Sequence, residues 1–141
     1  MERSRVLLAI IAGVGVGIAS PALAEYISFR SPTGNISCEI VSDDLGGYAR
    51  CDLRELTMSF PQAPADCDAD WGAYFAVREG GGKGRPICVG DAVYNGNAIV
   101  LGYGQSISLG GVTCISERSG MTCTNRQGHG FTVARASQRV Y

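Results

Sequence analysis

Apolar and polar positions in this chain alternate over short spans instead of recurring at a helical period. Ile36, Cys38 and Ile40 alternate with Ser37 and Glu39, and Ala49, Cys51 and Leu53 alternate with Arg50 and Asp52. This is the period-two signature of strands that bury one face. Setting Cys38 opposite Cys51 in an antiparallel hairpin also places Glu39 opposite Arg50, Ile36 opposite Leu53 and Ile40 opposite Ala49, so charge meets charge and apolar meets apolar. A slip of one residue loses every match. The tip of this hairpin is Asp43-Asp44-Leu45-Gly46-Gly47. The same reasoning sets Cys114 opposite Cys123 around the four-residue loop 117–120, with Thr113 facing Thr124, Ile115 facing Thr122, and Gly120 free to take a left-handed position.

Turn signals separate further short runs. Ser31-Pro32-Thr33-Gly34-Asn35 leads into the Ile36 strand, residues 71–77 (WGAYFAV) read as a buried strand, and residues 79–86 (EGGGKGRP) as a flexible loop. Tyr94-Asn95-Gly96-Asn97 carries an Asn-Gly pair suited to a two-residue hairpin turn, which would join 91–94 to 97–101. Residues 131–134 alternate as a strand, and 137–141 either continue it or turn back onto the core. No segment of the mature chain shows a capped helical period; a short turn at 53–58 is the one expected exception. The predicted fold is all-β, a small disulfide-stabilised β-sandwich or barrel-like domain with little helix.

The N-terminus changes the picture of the compartment. Arg3 and Arg5 form a basic head, residues 6–20 are uncharged and mostly small or apolar, and Ala22-Leu23-Ala24 offers a small-x-small cleavage pattern. Residues 1–24 are therefore expected to be a signal peptide and 25–141 a single domain. The apolar run is short for a membrane span, which needs roughly 20 residues, so no membrane association is expected after cleavage. Residues 25–141 hold twelve acidic and ten basic side chains, which gives no basic footprint for nucleic acid. Nine of the acids fall in residues 25–70, and seven of the bases in 71–141.

Six cysteines, Cys38, Cys51, Cys67, Cys88, Cys114 and Cys123, all follow the expected cleavage site. In an exported chain this size, an even count reads as a disulfide framework. The gaps between them are 12, 15, 20, 25 and 8 residues with no C-x-x-C, and His129 is the single histidine. A zinc site or a thioredoxin-like redox role is therefore not supported. Six cysteines allow 15 pairings. The two hairpin registers select Cys38 with Cys51 and Cys114 with Cys123, which leaves Cys67 for Cys88.

Several blocks occur in order along the chain: 29–38 (FRSPTGNISC), 49–53 (ARCDL), 66–72 (DCDADWG), 87–91 (ICVGD), 101–104 (LGYG), 120–125 (GMTCTN) and 128–131 (GHGF). They resemble those of an uncharacterised family of exported bacterial proteins, a domain of unknown function with SPSGNIGC, RCD, DWG, CxGD, LPYG and GHGF blocks. Gly102 stands where that pattern has proline. The resemblance implies an exported, disulfide-containing domain and carries no activity or ligand.

Candidate chemistry is sparse. His129, between Gly128 and Gly130, is the one histidine base, and Asp91 is a carboxylate that could serve it. No G-x-S-x-G elbow supplies a nucleophile, so a structural histidine is the favoured reading. Asp66, Asp68 and Asp70 alternate like the start of a calcium loop, but Trp71 stands where that loop needs glycine and no closing glutamate follows. Trp71, Tyr74 and Phe75 could line a ligand groove, although a lone tryptophan in so small a domain is more often a core plug.

No cofactor is implied. The reading these features favour is a non-catalytic binding or interaction module of the periplasm or extracellular space, with an unknown protein or small molecule as its ligand and Trp71, Tyr74, Asp91 and His129 as candidate contacts. Its rivals are a small exported hydrolase using His129 with a carboxylate, and an inhibitor-like effector presenting residues 78–85.

Overall fold

The structure, a computed structural model, describes residues 12–17 and 24–141. Most of the predicted signal peptide lies outside the described residues. Among them the domain is all-β, without helix, and its strands form two sheets. No described helix is long and apolar enough to cross a membrane.

The first sheet grows from a meander of β1 (Glu25–Arg30), β2 (Ile36–Asp43) and β3 (Gly46–Leu53). β4 (Tyr74–Arg78) and β5 (Arg85–Pro86) extend it beyond β3, and β6 (Ile99–Val100) lies parallel to β1 at the other edge. The second sheet contains β7 (Ser106–Leu109), β8 (Val112–Glu117), β9 (Gly120–Thr124), β10 (Gly130–Val133) and β11 (Gln138–Val140), each antiparallel to the next. β4 faces β10, β3 faces β8 and β2 faces β7, so the architecture is a sandwich and not a closed barrel.

Both hairpin registers are those the alternation predicts. Cys38 pairs with Cys51 and Ile36 with Leu53 across β2 and β3, and Cys114 pairs with Cys123 and Thr113 with Thr124 across β8 and β9. The disulfides are Cys38–Cys51, Cys67–Cys88 and Cys114–Cys123. In each hairpin bridge the Cα atoms are 4.1 Å apart, the close spacing of directly opposed residues. The inward residues of both sheets, including Phe29, Ile40, Phe75, Met121 and Phe131, form one core. Burying each such side chain contributes about 1.5–3 kcal/mol.

Four expectations are corrected. Residues 53–58 form no helical turn: Leu53 ends β3, and the chain beyond it is held by Asn35. Residues 94–97 do not join two strands. Asn95 accepts the Asn97 N–H through Oδ1 and the Ala98 N–H through its carbonyl, and no non-glycine residue among the described residues has positive φ. This Asx turn competes with the primed hairpin turn and delivers β6 to β1 instead. Part of the 79–86 loop is strand, since Arg85–Pro86 pairs with β4. Trp71 is not the core plug: it is half-buried outside β4, and its Nε1 donates to the Phe60 carbonyl at 2.8 Å. Phe29, Phe75 and Phe131 fill the centre.

The sandwich has two ends. At one, the β2–β3, β7–β8 and β9–β10 turns meet the 79–84 loop. Gly47 N donates to Gly110 O, Arg126 N donates to Glu79 Oε2, and the buried Asn125 side chain donates to the Arg78 and Gly82 carbonyls. At the other lie the β1–β2, β8–β9 and β10–β11 turns, with the chain leaving β3.

Candidate binding groove

The turns at that second end enclose an open groove of about 690 Å³, within the roughly 300–1,000 Å³ usual for small-ligand sites. Its walls carry four arginines, Arg30, Arg54, Arg118 and Arg135, against two glutamates, Glu55 and Glu117. That local excess of positive charge stands in a chain whose net charge is −1.

Local structure fixes where these side chains stand. Ser31 N donates to Ile36 O and Gly34 N to Ser31 O, with Gly34 at φ 74°, so the β1–β2 turn is a hydrogen-bonded loop that a side chain at position 34 would strain. From it Asn35 reaches across to the chain leaving β3. Its Nδ2 donates to Glu55 O at 3.0 Å, its Oδ1 accepts from Glu55 N at 2.9 Å, and its carbonyl accepts from Arg54 N at 2.9 Å. Asn35 thereby holds Arg54 and Glu55 at the groove.

Tyr94 arrives on a loop laid over the outer face of the first sheet. Beneath that loop Asp52 is fully buried. Its carboxylate accepts Arg50 Nε and Nη2, both at 2.9 Å, and Val93 N at 2.8 Å. Arg50 Nη2 also donates to the Asp91 carbonyl. Burial alone would lower the Arg50 pKa, but the Asp52 carboxylate outweighs it and raises the value. The register does set Glu39 opposite Arg50, yet the ion partner of Arg50 is Asp52, two positions along the same strand face. Tyr103 is placed by a turn docked on β8, in which Gly104 N donates to Ser116 O and Ser116 N donates to Gln105 O.

The aromatic rings organise the arginines. The Arg54 guanidinium lies 4.4 Å from the Tyr94 ring centroid and that of Arg118 lies 4.9 Å from Tyr103, both within cation–π range. Arg135 pairs with Glu55 at 3.0 Å, but both side chains are more than two-thirds exposed, so the pair adds little stability. Burial, then Asp52, raises the Tyr94 pKa against the opposing Arg54 charge; its hydroxyl stays protonated at neutral pH and can donate.

The sequence-predicted contacts do not gather here. Tyr74 and Asp91 both contact Arg50 on the outer face of the first sheet, Tyr74 with its ring and Asp91 with its backbone carbonyl. Trp71 sits against the segment that carries Phe60. His129 is half-buried in the β9–β10 turn at the opposite end, where its N–H donates to Asn125 Oδ1 and its carbonyl accepts from Asn125 N. Asp66, Asp68 and Asp70 are exposed, and no metal-holding cluster of His, Cys, Asp or Glu occurs among the described residues.

A model of DUF6636, a family of unknown function, matches residues 6–141. The chain belongs to this family. No curated protein and no solved structure matches it.

Within this DUF6636 domain, the residues missed from sequence are Asn35, Arg54, Tyr94, Tyr103 and Arg118 of the groove, and Asp52 beneath the loop that carries Tyr94. Asp52 alternates with apolar neighbours and so reads as a solvent-facing strand position; only the distant 91–94 loop makes it buried. Arg54 and Arg118 lie in unrelated segments 64 positions apart, and nothing local signals that they converge.

Proposed function

We propose that this DUF6636 protein is an exported, non-catalytic binding module that seats its ligand in the groove at the loop end of the sandwich. The observation that carries the reading is the convergence of tyrosine-stacked arginines from unrelated turns on one concave surface. Loops held at one end of a rigid sandwich are a common place for recognition. Export is supported by the leader-like N-terminus and by six cysteines all paired in disulfides, a state that persists in oxidising compartments. Against the hydrolase, His129 stands at the far end from the groove, and only its backbone hydrogen-bonds among the described residues.

The test is paired affinity capture from envelope and medium fractions of the native host, using the oxidised protein and an Arg54→Glu/Arg118→Glu variant. The reading expects a ligand retained by the native protein and lost by the variant. Equal retention by both contradicts it.

A further inference from the structure

We infer that the groove binds an acidic oligosaccharide, a short glycan bearing carboxylates; the inference rests on the binding-module reading and names the chemistry of its ligand. The first support is charge. Arg135 has Glu55, but Arg30, Arg54 and Arg118 form no ion pair among the described residues. Arg54 and Arg118 lie against the Tyr94 and Tyr103 rings, and a guanidinium can meet a carboxylate with two parallel hydrogen bonds. Stacking also orders these side chains before a ligand arrives, which reduces the entropy lost on binding.

The second support is the lining. A peptide that docks by strand addition needs a free sheet edge. The edges are β5 and β6 in one sheet and β7 and β11 in the other, and none of their residues lines the groove. What lines it instead is side-chain hydroxyl and amide, as at Thr33 and Asn95, beside the two tyrosines. Dispersed donors and acceptors with ring faces suit sugar hydroxyls and the apolar faces of pyranose rings.

The experiment is calorimetric titration of the full oxidised protein with an oligogalacturonate, its neutral methyl ester, polyglutamate and inorganic phosphate, with amide chemical-shift mapping of the bound state. Oligogalacturonate should bind, shift the amides of the groove turns, and weaken as salt rises. Esterification, Arg54→Gln and Arg118→Gln should each weaken it by about tenfold or more, the loss expected for a charge-assisted hydrogen bond. Unchanged melting temperatures of both exposed-site variants would show that they remain folded. No binding, equal binding of the ester, or tighter binding of polyglutamate or phosphate overturns the inference. A neutral glycan seated in the groove overturns it while leaving the binding-module reading intact; shifts confined to other faces overturn both.

Discussion

The Sγ atoms of Cys51 and Cys123 lie 3.7 Å apart in the centre of the core. Each belongs to a disulfide within its own sheet, so this is a van der Waals contact between two bridges. Each bridge staples a hairpin, and they touch where β3 of one sheet packs on the β8–β9 hairpin of the other.

Removing one staple should therefore loosen both sheets. Cys114→Ala/Cys123→Ala is expected to cost about 2–4 kcal/mol. Combined with Cys38→Ala/Cys51→Ala, the loss should depart from the sum by about 0.5–3 kcal/mol, because the bridges touch. Urea unfolding of the two double variants and the quadruple variant measures this; additivity would show the contact to be energetically idle.

Asp52 should be the costliest polar residue to lose. Asp52→Ala leaves Arg50, whose side chain is only 14% exposed, without its carboxylate, and breaking such a buried pair costs about 3–5 kcal/mol. It also frees Val93 N, so amide exchange in residues 91–96 should quicken more than in β8 and β9. Ligand affinity should fall with it, since Tyr94 rides on that loop.

Asn125 closes the opposite end. Its Oδ1 accepts from Gln127 N and His129 N while its Nδ2 reaches the Arg78 and Gly82 carbonyls. Asn125→Ala should destabilise the fold by about 1–3 kcal/mol, the loss of part-buried hydrogen bonds to both loops. Limited trypsin digestion should then cut after Lys83 faster than in the native protein, with groove binding unchanged.

Alkaline pH should weaken the fold through tyrosines. Burial raises the pKa of Tyr48, Tyr74 and Tyr94 above the ordinary 10.0. For an acid whose folded value is raised, the stabilisation is complete below 10.0 and is lost as pH climbs through the folded values. Urea midpoints should thus stay level from neutrality until about pH 10 and fall beyond it. Phenolate absorbance should show these three tyrosines ionising above the ordinary 10.0.

The hairpins were legible because period-two alternation and matched cysteines constrain register locally: the Cys38–Cys51 pairing carries Ile36–Leu53 with it. The Asn95-Gly96 signal misled because the same dipeptide serves an Asx turn, and the choice depends on whether β1 offers β6 an edge. The groove was illegible for a related reason. Arg54, Tyr94, Tyr103 and Arg118 stand on separate turns, and they meet only through the stacking of two sheets that no local window of sequence records.

Two abutting hairpin bridges clamp the sandwich. Disulfide mapping by mass spectrometry of protein isolated from its native host, with free thiols blocked first, tests it directly. Trypsin leaves Cys88 and Cys114 on one peptide, so a second cut before Asp91 is needed to separate them. The predicted result is Cys38 linked to Cys51, Cys67 to Cys88 and Cys114 to Cys123, with no blocked thiol. Blocked cysteines, or a Cys51–Cys123 link between the sheets, would contradict it.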